Sequence, residues 1–177
     1  MIETPRLILR GWREADKAPF LAMCNDPRVM EFLGPPLVAQ AMDAIVERQN
    51  GFLERLGYCF WAVERREDGA FLGFCGLKPG PERTPIEGEI EIGWRLAHAA
   101  WGQGYAHEAA QASLDWGWAN TEAKRIAAIT VAGNRRSWGL MERLGMVRAP
   151  GDDFDHPNAP DALKAHIAYW IDRPADH

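Results

Sequence analysis

The sequence predicts a mixed α/β fold, a layered structure in which helices cover both faces of one sheet. Three observations lead there. Helical periodicities near the start give way to a β-hairpin signal, and the second half alternates strand, helix, strand, helix, strand. The segment from Glu89 to Ala132 has the order of a strand–helix–strand unit, which implies a parallel strand pair joined by a right-handed crossover. With 177 residues the chain has the length of one domain, expected over residues 1–172 and followed by a short polar tail, 173–177. A domain of this size hides roughly 70% of the surface its unfolded chain exposes, so it needs no disulfide or metal to hold its core.

Each element has its own signal. Leu7-Ile8-Leu9 lies between Arg6 and Arg10 after Pro5, the pattern of an opening strand. Glu14 to Cys24 reads as a short helix weakened by Pro19 and stopped by Asn25-Asp26-Pro27, and Gly34-Pro35-Pro36 forces a loop. From Ala39 to Leu56 the apolar residues Met42, Ile45, Val46, Phe52, Leu53 and Leu56 recur three and four apart, which marks a second helix. Tyr58 to Arg65 and Ala70 to Leu77 are rich in aromatic and branched residues and flank Asp68-Gly69, a hairpin signal. Lys78 to Gly88, with its prolines and glycines, reads as a loop. A strand over Glu89 to Leu96, an alanine-dense helix over Tyr105 to Asn120 and a strand over Arg125 to Ala132 follow. Arg135 to Leu144 is a short helix ended by Gly145, where a positive φ is expected. Ala149 to Pro160 is polar and broken by proline, and Leu163, Ala165, Ile167, Tyr169 and Ile171 alternate in a last strand.

Composition removes several classes of function. Acidic residues number 25 against 20 Lys plus Arg, a net charge of −5, so the chain lacks the global basic face that a nucleic-acid backbone demands. Apolar residues at 47% and charged ones at 25% exclude a disordered or low-complexity chain. Cys24, Cys59 and Cys75 are odd in number and form no CxxC pair, so buried thiols are expected rather than a disulfide framework or a zinc site. No stretch approaches the ~20 apolar residues of a membrane span. The opening Met1 to Arg6 lacks the basic and apolar regions of a secretory signal. A cytoplasmic protein with neither membrane nor nucleic-acid partner is expected.

The stretch richest in chemistry is Trp101-Gly102-Gln103-Gly104-Tyr105-Ala106, between a strand and a helix. Glycines there let backbone N–H groups converge, and the helix adds its own unpaired donors and the positive end of its dipole. Such a turn is an anion site of pyrophosphate size; it is equally the turn any fold needs at that junction. The GK[ST] of a P-loop and the third glycine of a dinucleotide fingerprint are both missing.

The surroundings of this loop add a resemblance. Glu91-Ile92-Gly93-Trp94, the loop with Glu108-Ala109, Asn134-Arg135-Arg136-Ser137 and Glu142-Arg143-Leu144-Gly145-Met146 occur in order and at similar spacings in the GNAT superfamily of acyl-CoA-dependent N-acetyltransferases. The sequence resembles its RimJ/RimL-like branch from Thr4-Pro5-Arg6-Leu7-Ile8-Leu9-Arg10 to near the last strand. The resemblance implies a central, twisted, mostly antiparallel sheet of about six to seven strands with one splayed parallel pair. It also implies acetyl-CoA as acyl donor, with no metal, and a primary amine as acceptor, either a small molecule or a protein N-terminus such as that of a ribosomal protein. A homodimer is expected on the same ground. The family's Q/R-x-x-G-x-G/A loop falls on Trp101, Gly102, Gln103, Gly104, Tyr105 and Ala106, with Trp101 in place of the usual Gln or Arg. By the same resemblance, Trp94, Arg95 and Leu96 would pair their backbone with pantetheine, and Asn134 would hold the pantetheine arm.

Attack of an amine on a thioester requires that the amine lose a proton, that the oxyanion meet a donor and that the thiolate be stabilised. Many family members place a tyrosine acid seven residues after the Asn134 position; here Met141 stands there and donates nothing. Ser137, four residues earlier on the same helical face, is the candidate thiolate donor, or else a serine bonded within the helix's first turn. Glu91 is the first candidate for the base and Glu89 the second, two apart on a strand and thus on one face, with a solvent-facing acidic strand as the alternative. Glu108 is expected to support the helix start and His107 to be exposed. Asp153-Phe154-Asp155-His156-Pro157 is either a plain turn or an acidic wall that attracts a cationic amine. Arg135 and Arg136 either steer the cofactor or are solvated. Two rival readings stand beside the enzyme: a non-catalytic acyl-CoA-binding or sensory module that kept the loop and lost the acid, and a protein that uses the same loop for ATP or NAD.

Overall fold

The computed structural model describes residues 1–175; Asp176 and His177, the end of the expected polar tail, lie outside the described residues. One nine-stranded sheet runs through the protein, and its strands β1 to β9 and helices α1 to α5 are numbered along the chain. The strands are β1 (Ile2–Glu3), β2 (Leu7–Arg10), β3 (Phe60–Arg65), β4 (Phe71–Pro79), β5 (Ile90–Leu96), β6 (Arg125–Val131), β7 (Val147–Arg148), β8 (Phe154–Asp155) and β9 (Ala165–Asp172). They lie in the order β1-β2-β3-β4-β5-β6-β9-β7, with β8 also paired to β9. The expectation of about six to seven strands falls short by the two-residue pieces β1, β7 and β8, too short to leave an alternating pattern.

All neighbours are antiparallel except β5 and β6, which pair only at Ile90↔Ile126 and Glu91↔Ala127. β5 continues to Leu96 and β6 to Val131 without further pairing, so they part beyond Glu91. The splayed parallel pair is therefore present, and it leaves the β6-facing edge of β5 open from Ile92 onward.

Helices α1 (Lys17–Met23), α2 (Pro27–Met30), α3 (Ala41–Leu56), α4 (Tyr105–Asn120) and α5 (Arg135–Arg143) cover the two faces. Strand alternation sorts the core accordingly. Leu7, Leu9, Trp61, Val63, Cys75 and Leu77 point to the α4 side with Ala109, Ala110 and Leu114, while Ala62, Phe20, Met23, Met42 and Val46 fill the α1–α3 side. Pro19 does not break α1 because it occupies the first turn, where its missing N–H has no helical partner. The α2 turn, capped by the Asp26 side chain on Arg28 N, has no helical period at its length.

Two polar devices tie the layers together. Arg10 makes a two-pronged bond to Asp16 at 2.7 and 2.9 Å and donates to Glu64 at 2.7 Å, with Arg10 and Asp16 only 6% and 2% exposed. At the other end, the Arg173 guanidinium donates to the carbonyls of Trp118, Thr121 and Ala123, closing the C-terminal end of α4.

Candidate functional site

The open edge of β5 and the start of α4 face one cavity of about 890 Å³. Its floor is Glu91 to Leu96, one wall is Trp101, Gly102 and Gly104 to His107, and the opposite wall is Asn134, Arg136 and Ser137 with Met141. Sequence positions 40 residues apart meet here because the right-handed crossover returns β6 beside β5.

Along the α4 wall, the backbone N–H groups of Gly102 through His107 find no protein acceptor among the described residues, and Glu108 N is the first to bond, to Gly104 O at 3.1 Å. Gly102 and Gly104 have φ of 73° and 82°, conformations that a side chain disfavours, and this winding aims successive donors to one side. Glu108 supports the helix start as expected and also anchors the N-terminal strand. It accepts bonds from the Thr4 hydroxyl at 2.6 Å, from Arg6 N at 3.0 Å and from Arg6 Nε at 2.6 Å. Burial raises the Glu108 pKa, but these donors outweigh it and hold the carboxyl below its usual range.

Trp101 is a brace for this loop. Its Nε1 donates to Leu96 O at 2.9 Å, tying loop to floor, and the Arg136 guanidinium lies 4.9 Å from its ring centre. Gln103 does not line the cavity: its side chain bonds Ala99 O, and its carbonyl accepts from Arg6 Nη1 at 2.9 Å. Tyr105 is buried beneath Arg6, and Ala106 and the exposed His107 complete the turn. Asn134 caps α5: its Oδ1 accepts from Ser137 N at 3.4 Å and its Nδ2 donates to Thr130 Oγ1 at 3.1 Å. Ser137 lines the cavity, and its hydroxyl makes no hydrogen bond among the described residues. Met141, one turn on, lines it too and is 1% exposed.

Of the two candidate bases the structure brings only one to the cavity. Glu91 is 8% exposed and accepts from Lys78 Nζ at 2.5 Å. Glu89 precedes β5 and pairs outside the cavity with Arg125 at 2.9 Å. Lys78, read as loop from its prolines, is the register partner of Glu91, since β4 runs on to Pro79. On the same face Phe60 and Phe74 stack with centres 5.1 Å apart, and a Cβ at Gly93 would meet the Phe60 ring at 2.7 Å. Gly93 thus keeps the floor flat beneath the rings.

The far wall holds His156, from the polar loop read in the sequence, and His166, which the sequence left unassigned. His156 and His166 line the cavity with ring centres 5.0 Å apart. His166 Nδ1 donates to Lys164 O at 2.8 Å, because a carbonyl only accepts, so its neutral ring offers Nε2 as an acceptor. His156 Nδ1 accepts from Asn158 N at 3.2 Å, so its neutral ring carries the proton on Nε2. Burial, then the charges of His166 and Lys78, lower the His156 pKa. Within this loop Asp153 is engaged by Arg148 at 2.5 Å, so the loop turns an imidazole toward the cavity rather than an acidic wall. All three cysteines are buried and free, and burial pushes the thiols of Cys59 and Cys75 up to about 12.

An acetyltransferase (GNAT) domain profile matches residues 6–147. The chain belongs to the GNAT acetyltransferases. It is 32% identical to the uncharacterised protein YkkB of Bacillus subtilis (strain 168) over 144 residues, 81% of this chain and 83% of that one. An acetyltransferase of Agrobacterium tumefaciens strain C58 superposes with a TM-score of 0.78 at 26% identity, covering 96% of this chain and 92% of its own. At the level of fold, the spermidine N-acetyltransferase of Vibrio cholerae, solved with CoA and spermine, superposes with a TM-score of 0.73 at 18% identity, covering 96% and 97%. In this GNAT acyltransferase, residues of the Trp101–Ala106 loop and of the Asn134–Ser137 segment line the cavity described above, and Trp101 braces the loop. No helix among the described residues is long and apolar enough to cross a membrane.

Proposed function

We propose that this acyltransferase moves an acetyl group from acetyl-CoA to a primary amine by direct attack of the amine on the thioester, in the manner of a RimJ/RimL-like enzyme. The observation that carries this reading is the run of unpaired N–H groups from Gly102 to His107, opening on the same cavity as the unpaired edge of β5. The first suits a pyrophosphate and the second an extended, amide-bearing arm that can bond to a strand edge. In this reading pantetheine lies along Trp94, Arg95 and Leu96, where Trp94 and Leu96 present the open edge and the Arg95 backbone faces β4, and Asn134, as cap of α5, shapes the wall beside it.

The chemistry then falls to Glu91 and Ser137. Glu91 takes the proton of the attacking ammonium, directly or through water, with Lys78 holding the carboxylate in place. Ser137, its hydroxyl free to turn, donates to the departing sulfur in place of the tyrosine that Met141 displaces. In this reading Glu89, just before β5 and outside the cavity, is not the base, because Arg125 holds its carboxylate.

Isothermal titration with acetyl-CoA, with ATP and NAD as controls, tests the donor site. Saturable binding of acetyl-CoA alone, followed by CoA release with an amine, is the expected result. Binding without CoA release across an amine panel would favour the sensory reading that Met141 suggests, and preference for ATP or NAD would overturn the donor assignment.

A further inference from the structure

Arg95 is a half-buried cation on the cavity wall, and no carboxylate pairs with it among the described residues. It lies on β5 on the same face as Glu91 and Gly93, and its side chain turns to the α1 side of the sheet. There its Nη1 donates to Cys24 Sγ at 3.2 Å, and its guanidinium sits 5.5 Å from the centre of the Phe74 ring. Its Nε is the sole fully buried side-chain N or O atom among the described residues without a hydrogen-bond partner. Of the other cations that line the cavity, Arg28 has Asp26 and Lys78 has Glu91, whereas Arg136 rests on the Trp101 ring and, like Arg143, forms no ion pair among the described residues. Cys24 does not fill that role, since burial outweighs the pull of Arg95 and raises the thiol pKa, leaving it neutral. Glu91 stands four residues away, on the order of 13 Å along a strand, and is itself engaged. Glu31, the other acid on the cavity wall, is exposed.

A guanidinium does not lose its proton, and a desolvated cation with neutral neighbours is costly unless a ligand completes it. From this we infer that the acceptor amine carries its own anionic group, a carboxylate or a phosphate, and that Arg95 receives it against the Phe60–Phe74 wall. The inference rests on the acetyltransferase reading and narrows its substrate class. It disfavours polyamines, which would place a second cation beside an uncompensated one, although a protein of the same fold is a spermidine N-acetyltransferase. The backbone of Arg95 faces β4, so the open edge of β5 is supplied by its neighbours Trp94 and Leu96, and the Arg95 side chain serves the acceptor without competing with the donor.

The test uses the intact protein saturated with CoA, titrated with ω-amino acids of graded length, their amides, the aminoalkyl phosphates and the diamines of equal length. For at least one length, the carboxylate or phosphate member should bind about tenfold or more tightly than its amide, as a bond to a charged group allows. The two anionic series separate carboxylate from phosphate as the natural group. In Arg95→Gln this preference should collapse to within about twofold, and in Arg95→Lys a good part of it should return, which guards against misfolding as the cause. Equal binding of amide or diamine, absence of binding by any anionic member, or a preference that survives Arg95→Gln would overturn the inference. So would a loss of acetyl-CoA affinity in Arg95→Gln as large as the loss of amine affinity, since Arg95 would then serve the donor. Failure of acetyl-CoA to bind the unaltered protein is a separate result, one that sinks the transferase reading itself.

Discussion

Glu91 Oε2 and Lys78 Nζ lie 2.5 Å apart across the β4–β5 pairing, as direct register partners facing the cavity. The pair joins two functions in one contact: it neutralises a half-buried ammonium, and it orients the carboxylate proposed as base. Removing Glu91 alone therefore mixes two effects, whereas removing both partners isolates the chemical one.

Glu91→Gln should lower turnover most near neutral pH, where an unassisted amine is mostly protonated, and less at high pH. It should also cost stability, about 1–3 kcal/mol, because Lys78 loses its charged partner. Glu91→Gln combined with Lys78→Met should regain much of that stability without regaining turnover. Denaturant melts and a pH–rate profile of the two variants check this; equal turnover loss at every pH would assign Glu91 to structure.

Ser137→Ala should reduce kcat on the order of 100-fold while acetyl-CoA affinity changes little, since the hydroxyl is proposed to act only on the leaving sulfur. Single-turnover kinetics beside a titration separate the two quantities. Unchanged turnover would remove Ser137 from the mechanism.

Asp16→Ala should destabilise the fold by about 3–5 kcal/mol, because it strands the buried Arg10 guanidinium that joins β2 to the start of α1. Thermal and urea melts measure it. A cost below about 1 kcal/mol would mean that the Arg10 bond to Glu64 suffices alone.

Acid should weaken the protein in two steps, each with a definite sign. The His156 pKa is lowered in the fold, so below about 6.5 the unfolded chain binds the proton first and stability falls with pH; His156→Gln should flatten that step. Glu108 has its pKa lowered as well, so its contribution is complete above the ordinary carboxylate range and vanishes as pH falls through its folded value. Glu108→Gln should remove part of this second step. Melts across the acid range read both, and a His156→Gln profile that keeps the first step would trace it to another group.

Much of this architecture is legible in residue order alone. The Tyr105–Asn120 helix follows from its alanine content, and the hairpin strands from aromatic and branched residues around Asp68-Gly69, because these are local propensities that act before any long-range pairing. The cavity walls were legible too, through the glycine loop and the Asn134–Ser137 segment, since backbone donors at a helix start depend on local winding. What local order did not show is pairing. Lys78 sits among prolines and looks like loop until β4 is laid against β5, and Glu89 shares a face with Glu91 until Arg125 draws it away. His166 has no sequence signal of function, and the sequence marks Arg95 only for its backbone, not for its guanidinium. The first gains its place from the β8–β9 pairing, and the second becomes notable only once the structure leaves its Nε buried without a partner. The sequence by itself determined the elements and the donor loop, because those rest on short-range periodicity and backbone geometry. Tertiary structure decided which charges are neutralised and which stand unpaired, because charge compensation depends on distances between residues far apart in the chain.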